Sequence, residues 1–336
     1  MVETVASFSL LAGDELRELM MFARRVTFRP GEFVFDQGVA ADGMYVIEHG
    51  SVQLWARLLG DEQIALCRIG PGGVLGEFSL FDRGTRSASA EVIEPTEGWF
   101  FSNRQFELLR TDGCPAALKT MRQLCKILCE RLRTAIRELV ENSPAFFVRG
   151  TISTAPPNRA LEAAPAGALD PRRLLALPCF ARLTAPVLGQ WLAPLSVWTA
   201  PRGHRLYTEG QAPASAYAIL RGAVEQIGGP SGEERRVAIL GPGKLFGFVA
   251  PLDGGQRPTS AIVREDALVL EIPPAEIEAI SRGDTSLHFT LLDVLHCSLI
   301  ERLRAANRTL LCQTAMGRLA QRRKTPHVRV SSGLEL

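Results

Sequence analysis

The segment Gly76–Ala90 reads "GEFSLFDRGTRSASA". Gly76 and Glu77 open it, a short apolar turn follows, and Arg86 stands nine residues after the acid with Ser87 and Ala88 behind it. A turn running into a short helix, begun by Glu77 and Phe78, leaves backbone N–H groups without intrahelical partners, which suits an anion. Arg86 adds a planar fork of donors matched to phosphate oxygens. Ser87 adds a hydroxyl and a backbone N–H. An ionised Glu77 can only accept hydrogen bonds. It repels phosphate, so its natural target is a neutral hydroxyl pair such as a ribose. A ligand with one anionic group fused to a sugar hydroxyl satisfies both residues. Taken alone, this Glu and Arg make an equally good surface ion pair bracing a loop, worth little in energy. The surrounding sequence decides between the two.

Outward from this stretch the chain repeats itself. "FRPGEFVFDQG" ends at Gly38 and "APRGHRLYTEG" at Gly210; "MYVIEHGSVQ" around Gly50 matches "AYAILRGAVE" around Gly222, at a shift of 172 residues. "IGPGGVLGEFSLFDRGTRSASA" then aligns with "LGPGKLFGFVAPLDGGQRPTSA", and "CERLRTAIRELV" with "IERLRAANRTLL", at a shift of 171. One residue is lost in the hairpin between Gln53 and Ala65. A repeat this long is a tandem duplication of whole domains rather than a solenoid of short units.

Each unit opens with a short amphipathic helix, "GDELRELMMFA" or "LTAPVLGQWLAPL". Short runs of alternating apolar residues follow, punctuated by glycines at 31, 38 and 50. Such runs predict an antiparallel roll or jelly-roll barrel. A long helix closes each unit. In the first, Leu118, Met121, Cys125, Leu128, Leu132, Ala135 and Leu139 fall at alternating spacings of three and four; in the second, Phe289, Leu292, His296, Leu299, Leu303, Ala306 and Leu310 do so. This is a coiled-coil-like seam. Either each helix packs on its own roll, or the seams pack together, within one chain as a covalent pseudo-dimer or between two chains in a homodimer. The fold class is therefore mainly β with helices (α+β): two tandem antiparallel β-roll, jelly-roll-like domains, each followed by a long C-terminal helix. The expected boundaries are 1–141 for domain 1, 142–171 for a Pro/Ala-rich linker, 172–318 for domain 2, and 319–336 for a basic disordered tail.

The cassette strongly resembles the phosphate-binding segment of cyclic nucleotide-binding domains, a family shared by the catabolite activator protein, the regulatory subunits of cyclic-AMP-dependent protein kinase and gated ion channels. Gly76, Glu77, Leu80, Arg86, Ser87 and Ala88 match its pattern, as does the run through Gly50. The resemblance implies that Glu77 binds the ribose 2′-hydroxyl of cyclic AMP or cyclic GMP and Arg86 the cyclic phosphate. Ser87, Ala88 and the backbone of Gly76, Phe78 and Ser79 would complete the cradle. It also implies a residue of the closing helix that caps the base, with Thr134 and Arg133 nearest by position. The second copy is degenerate. Gly247, Arg257 and Thr259 persist, but Phe248 stands where Glu77 does and Pro258 replaces Ser87, removing a backbone donor. Lys244 adds a positive charge nearby. Phe248 is expected to pack where a ligand would sit, leaving a structural or partner-facing copy; the alternative is a copy that binds no cyclic nucleotide but a different anion, through Arg257 and Thr259.

The remaining composition narrows the function. The chain has 336 residues, a formal net charge of +2 and seven cysteines. That charge does not demand nucleic acid, and the odd cysteine count without CxxC pairs fits a reducing compartment. No signal peptide or membrane-length apolar run is seen, so a cytoplasmic location is expected. The five histidines are scattered, and Cys125 and Cys129, one helical turn apart, read as buried small hydrophobes rather than ligands, so no metal or cofactor is expected. The nucleophile and phosphate-loop motifs of enzymes are missing, and an enzyme is not expected. The basic stretch "RLAQRRKTPHVRV" reads as a solvated tail. About 25 residues after Leu311 are too few for a helix-turn-helix, so DNA is not the expected partner. What these expectations leave is a cyclic-nucleotide receptor signalling to a protein partner or its own assembly. The alternatives are a scaffold that binds no nucleotide, for which Glu77 is dispensable, and a transcription-related regulator acting through a partner or the tail.

Overall fold

The computed structural model describes residues 11–57, 63–82, 84–142, 161–164, 170–230 and 233–324. In the first half, α1 (Gly13–Met20) leads into β1 (Arg24–Phe28), β2 (Phe33–Phe35), β3 (Gly43–Arg57), β4 (Gln63–Ile69) and β5 (Val74–Leu75). The short α2 (Ser79–Asp82) and β6 (Ser89–Ser102) follow, then α3 (Asn103–Thr111) and the long α4 (Pro115–Glu141). The strands form one antiparallel sheet in the order β1-β6-β3-β4, with β2 on β6 and β5 on β3. The long strands β3 and β6 run in register from Gly43↔Ser102 to Trp55↔Ser89. Their inner faces bury Tyr45, Ile47, Val52, Ala90, Val92 and Phe100. The register of β2 breaks between Phe33 and Phe35, which puts Phe35 and Val34 on this core and leaves Phe33 outside it. Proline at the first position of α4 costs nothing there, because that N–H has no partner in any helix.

The second half repeats the order. A two-residue strand β7 (Glu162–Ala163) and α5 (Pro171–Leu175) precede α6 (Ala185–Leu192). The strands are β8 (Ser196–Ala200), β9 (Arg205–Tyr207), β10 (Ala216–Gly228), β11 (Arg235–Leu240) and β12 (Leu245–Phe246). Then come α7 (Val249–Asp253), β13 (Ser260–Ile272), α8 (Pro274–Arg282) and α9 (Ser286–Lys324). The sheet order is β11-β10-β13-β8-β7. The described strands of each half make an open sheet, not a closed barrel. Two boundaries need restating. β7 lies inside the segment read as a linker and pairs with β8, Glu162↔Thr199 and Ala163↔Trp198. Helix α9 runs to Lys324, so the first residues read as tail are helical. Most of the linker stretch and residues 325–336 lie outside the described residues.

The two seams meet. Helices α4 and α9 pack on each other within the chain. Leu118, Met121, Cys125, Leu128, Leu132, Ala135 and Leu139 of α4 share one buried cluster with Leu292, Leu299, Leu303 and Ala306 of α9. Leu128 and Leu299 are fully enclosed. Each sheet keeps its own small core, whereas the helices of both halves form a single large one. His296, on the α9 seam, is buried in this shared core and stacks on Phe81 of α2 with ring centroids 4.0 Å apart. Cys125 and Cys129 are also buried there as free thiols.

The contact is crosswise. Helix α9 touches α2 of the first half, and α4 touches α7 of the second. Arg304 of α9 bonds Asp82 at 2.7 Å and the carbonyl of Thr85 at 3.1 Å. In the symmetry-related place, Arg133 of α4 bonds Asp253 at 2.8 Å and the carbonyl of Gln256 at 2.7 Å. All three positions correspond at a separation of 171 residues: Arg133 with Arg304, Asp82 with Asp253, and Thr85 with Gln256. A contact in which equivalent patches meet is the geometry of a two-fold dimer interface, here built inside one polypeptide.

Candidate functional site

Gly76 sits at φ 77°, a conformation side chains rarely adopt, and a Cβ there would run into the Arg86 guanidinium. This glycine turns the chain out of β5 so that Glu77 and Phe78 lead into α2. The N–H groups of Glu77, Phe78 and Ser87 have no acceptor among the described residues. Arg86 is pinned on both sides through its backbone: its N–H donates to Val39 at 2.9 Å, and its carbonyl accepts from Gly38 at 2.9 Å.

Both key side chains are buried. Arg86 donates to the carbonyl of Gly76 at 3.1 Å and to Asp42 at 2.6 Å. Its guanidinium lies over the Phe35 ring, 4.2 Å from the centroid. Glu77 is ion-paired with Arg131 of α4, whose other arm donates to the carbonyl of Val74 at 2.6 Å. The hydroxyl of Ser79 lies 2.8 Å from the Gly76 carbonyl and 2.9 Å from Asn103 Oδ1, so its hydrogen is spent on the fold.

Gly76, Glu77, Phe78, Ser79, Arg86, Ser87 and Ala88 all line one cavity of about 390 Å³, within the size range of small-ligand sites. Its other walls come from β3 and β4 and from both long helices. Helix α4 contributes Glu130, Arg131, Thr134, Ala135 and Glu138; α9, from the other half of the chain, contributes Leu303, Asn307 and Leu310. Of the two residues nearest the base by position, Thr134 lines the cavity. Arg133 does not: it is taken by Asp253 in the crosswise pair. Asp42, Arg131 and Asn307 were missed in the sequence. Arg131 lay beside the seam and had a visible signal, a helix position one turn short of Thr134. Asn307 had none nearby, since it reaches the cavity only through the packing of α9.

The same region of domain 2 is closed. Phe248 is fully buried at the position of Glu77, and Tyr207, Phe246, Pro258 and Thr259 close around it. Only about 10 Å³ of cavity remains, against about 390 Å³ in domain 1. Arg257 keeps the backbone pins of Arg86, with Gln211 and Gly210 as its partners at 2.9 Å. Its guanidinium donates to the carbonyls of Gly247 and Ser215 and lies over Tyr207. Lys244, which the sequence placed near this site, pairs with Glu301.

Comparison with known proteins shows the family. The family model of the cyclic nucleotide-binding domain matches residues 25–112 and 197–284. Two rolls, two cassettes and two matches spanning more than half of the chain place it in one class: it belongs to the cyclic nucleotide-binding domain family, with two such domains in tandem. Among curated relatives it is similar to the cyclic AMP receptor protein of Thermus thermophilus, 34% identical over 39% of this chain and 59% of that protein. It is also similar to a cAMP-dependent protein kinase regulatory subunit of Mycosarcoma maydis, 23% identical over 74% of this chain and 40% of that protein. The chain thus spans about three fifths or less of these relatives' own lengths. Among solved structures, the regulatory domain of Toxoplasma gondii PKA with cAMP aligns over 85% of this chain and 90% of that one, at 14% identity and a TM-score of 0.31. No described helix is long and apolar enough to cross a membrane.

Proposed function

We propose that this protein is a cytoplasmic cyclic-nucleotide receptor with one competent site, in domain 1, and that cyclic AMP is its ligand. The observation that carries the reading is the juxtaposition of buried Arg86 and buried Glu77 on the wall of one nucleotide-sized cavity. Arg86 would hold the cyclic phosphate with its fork, helped by the free N–H groups of Glu77, Phe78 and Ser87. Glu77, braced by Arg131, would accept from the ribose hydroxyl. Thr134 and Asn307 are the uncharged polar side chains that the two long helices bring to the cavity, and they would meet the base. The names of the relatives, a cyclic AMP receptor and a cAMP-dependent kinase subunit, favour cyclic AMP over cyclic GMP.

Signal output follows from whose helix closes the site. Leu303, Asn307 and Leu310 belong to domain 2, so a ligand that draws them inward moves domain 2 against domain 1. Only a difference in affinity between the open and closed arrangements drives such a change. The output would be read by a protein partner or by self-assembly, with no catalytic step. Calorimetric titration of cyclic AMP and cyclic GMP tests the reading. Near one equivalent of cyclic AMP bound, and lost in Arg86→Ala, is the expected result. Two equivalents would overturn the assignment of domain 2, and no binding of either nucleotide would overturn the receptor itself.

A further inference from the structure

Duplication makes a charge comparison possible. In domain 1 two guanidiniums face two carboxylates: Arg86 with Asp42 at 2.6 Å, and Arg131 with Glu77. The equivalent positions in domain 2 keep both bases, as Arg257 and Arg302, and lose both acids, to Ala214 and Phe248. Among the described residues neither Arg257 nor Arg302 has an ion-pair partner. Their hydrogen bonds go to neutral acceptors: the carbonyls of Gly247 and Ser215 for Arg257, the side-chain oxygen of Gln226 for Arg302. Arg257 Nε and Arg302 Nη1 are enclosed and meet no acceptor.

The two cations bracket one ring. Arg257 lies over Tyr207, 4.3 Å from its centroid, and Arg302 reaches the Tyr207 hydroxyl through Gln226, which donates to it at 2.9 Å. Tyr207 supplies no negative charge, because burial pushes its hydroxyl up. The carboxylate adjoining Arg302 in sequence, Glu301, is taken by Lys244. Arg257 is buried and Arg302 half-buried, and enclosed guanidinium nitrogens without a counter-charge are costly to keep. The space left beside them is small. Arg302, Gln226, Tyr207 and Thr259 are among the residues around a cavity of about 10 Å³, the room of one water-sized occupant. Thr259 is only 1% exposed there.

We propose that domain 2 binds a single monatomic anion, a halide with chloride as the available one, in this cavity against Arg302 and Thr259, with Arg257 adding its charge from the far side of Tyr207. The cavity admits no nucleotide and no tetrahedral oxyanion. The ion supplies the charge that Asp42 and Glu77 supply in domain 1, and it ties α9 to the second sheet.

The experiment uses the full chain. Crystals grown in bromide are measured for anomalous scattering, and thermal midpoints are followed against chloride at fixed ionic strength, with gluconate as balancing anion. A bromide peak in contact with Arg302 and Thr259, and a midpoint that rises by several degrees with chloride, are expected. Arg302→Gln should remove the chloride dependence, and inorganic phosphate should not replace chloride. The proposal is overturned by crystals without a peak at that place, by equal midpoints in chloride and gluconate, or by phosphate acting at lower concentration than chloride. The bromide density needs no variant, so a poorly folding Arg302→Gln leaves the test intact. Cyclic AMP titrated in the same buffers reads domain 1 separately.

Discussion

Arg304 of α9 is bonded to Asp82 of α2 at 2.7 Å, so the second domain's closing helix holds the end of the first domain's cassette. Its counterpart, Arg133 to Asp253, ties the first domain's helix to the cassette that has closed. The two pairs are geometrically equivalent, but only the first adjoins a cassette whose cavity is open. Asp82 also caps the N–H of Gly84 at 3.0 Å, so it shapes the turn that leads to Arg86. Arg304→Ala should therefore lower cyclic AMP affinity several-fold to tenfold, while Arg133→Ala leaves it near wild type. Each should cost about 1–3 kcal/mol of stability, as partly buried charged pairs do. Titration calorimetry beside urea unfolding separates the two effects. Equal affinity losses in both variants would show that α9 has no special hold on the site.

Arg86→Lys keeps the charge and loses the fork. Glu77→Gln keeps the shape and loses the charge, and it strips Arg131 of its partner. Each is expected to weaken cyclic AMP binding by about 10- to 100-fold, the value of a charge-assisted hydrogen bond. Equilibrium binding with a fluorescent cyclic AMP analogue checks this, and wild-type affinity in Arg86→Lys would show that phosphate is not held by this side chain.

Asn307 lies in a different domain from the cassette yet lines the same cavity. Asn307→Ala should reduce cyclic AMP affinity about five- to tenfold, the value of one net hydrogen bond. It should alter the preference between cyclic AMP and cyclic GMP, whose bases differ in their edge groups. Competition binding with both nucleotides measures it. Unchanged affinity for each would place the base away from α9.

His296 gives a pH dependence with a defined sign. Burial pushes its pKa down to about 4. One ring nitrogen faces the carbonyl of Leu292 at 2.7 Å and the other that of Met121 at 2.9 Å; the neutral ring donates to one of them. The nearby charges are Arg110 and Asp293, which pair with each other. An unfolded histidine titrates near 6.5. Between those two values the unfolded chain takes up a proton that the folded chain refuses, so stability is full above about pH 6.5 and falls as pH drops toward 4. This residue contributes roughly 2–3 kcal/mol of that loss. Urea unfolding of wild type and His296→Gln at pH 7.5 and 4.5 reads it: the gap between the two should shift in favour of the variant at acid pH. A constant gap would mean the ring titrates as in solvent.

Much of this was legible along the chain because its causes are local. The glycine at 76, the acid beside it and the arginine after the turn are close in sequence, and the cavity wall they form is set by the turn itself. The duplication and the loss of Glu77 to Phe248 were equally plain, and the buried Phe248 follows from side-chain size and polarity. Strand alternation and seam spacing likewise report the period of each element, a property of neighbouring residues. Partner choice is not such a property. That the two seams pack on each other, that Arg133 leaves the pocket for Asp253, that Arg131 braces Glu77, and that Asn307 enters a site more than two hundred residues away were decided only by tertiary structure. A charged or polar side chain is satisfied by whatever the fold brings within about 3 Å, and no pattern along the chain encodes which helix arrives there.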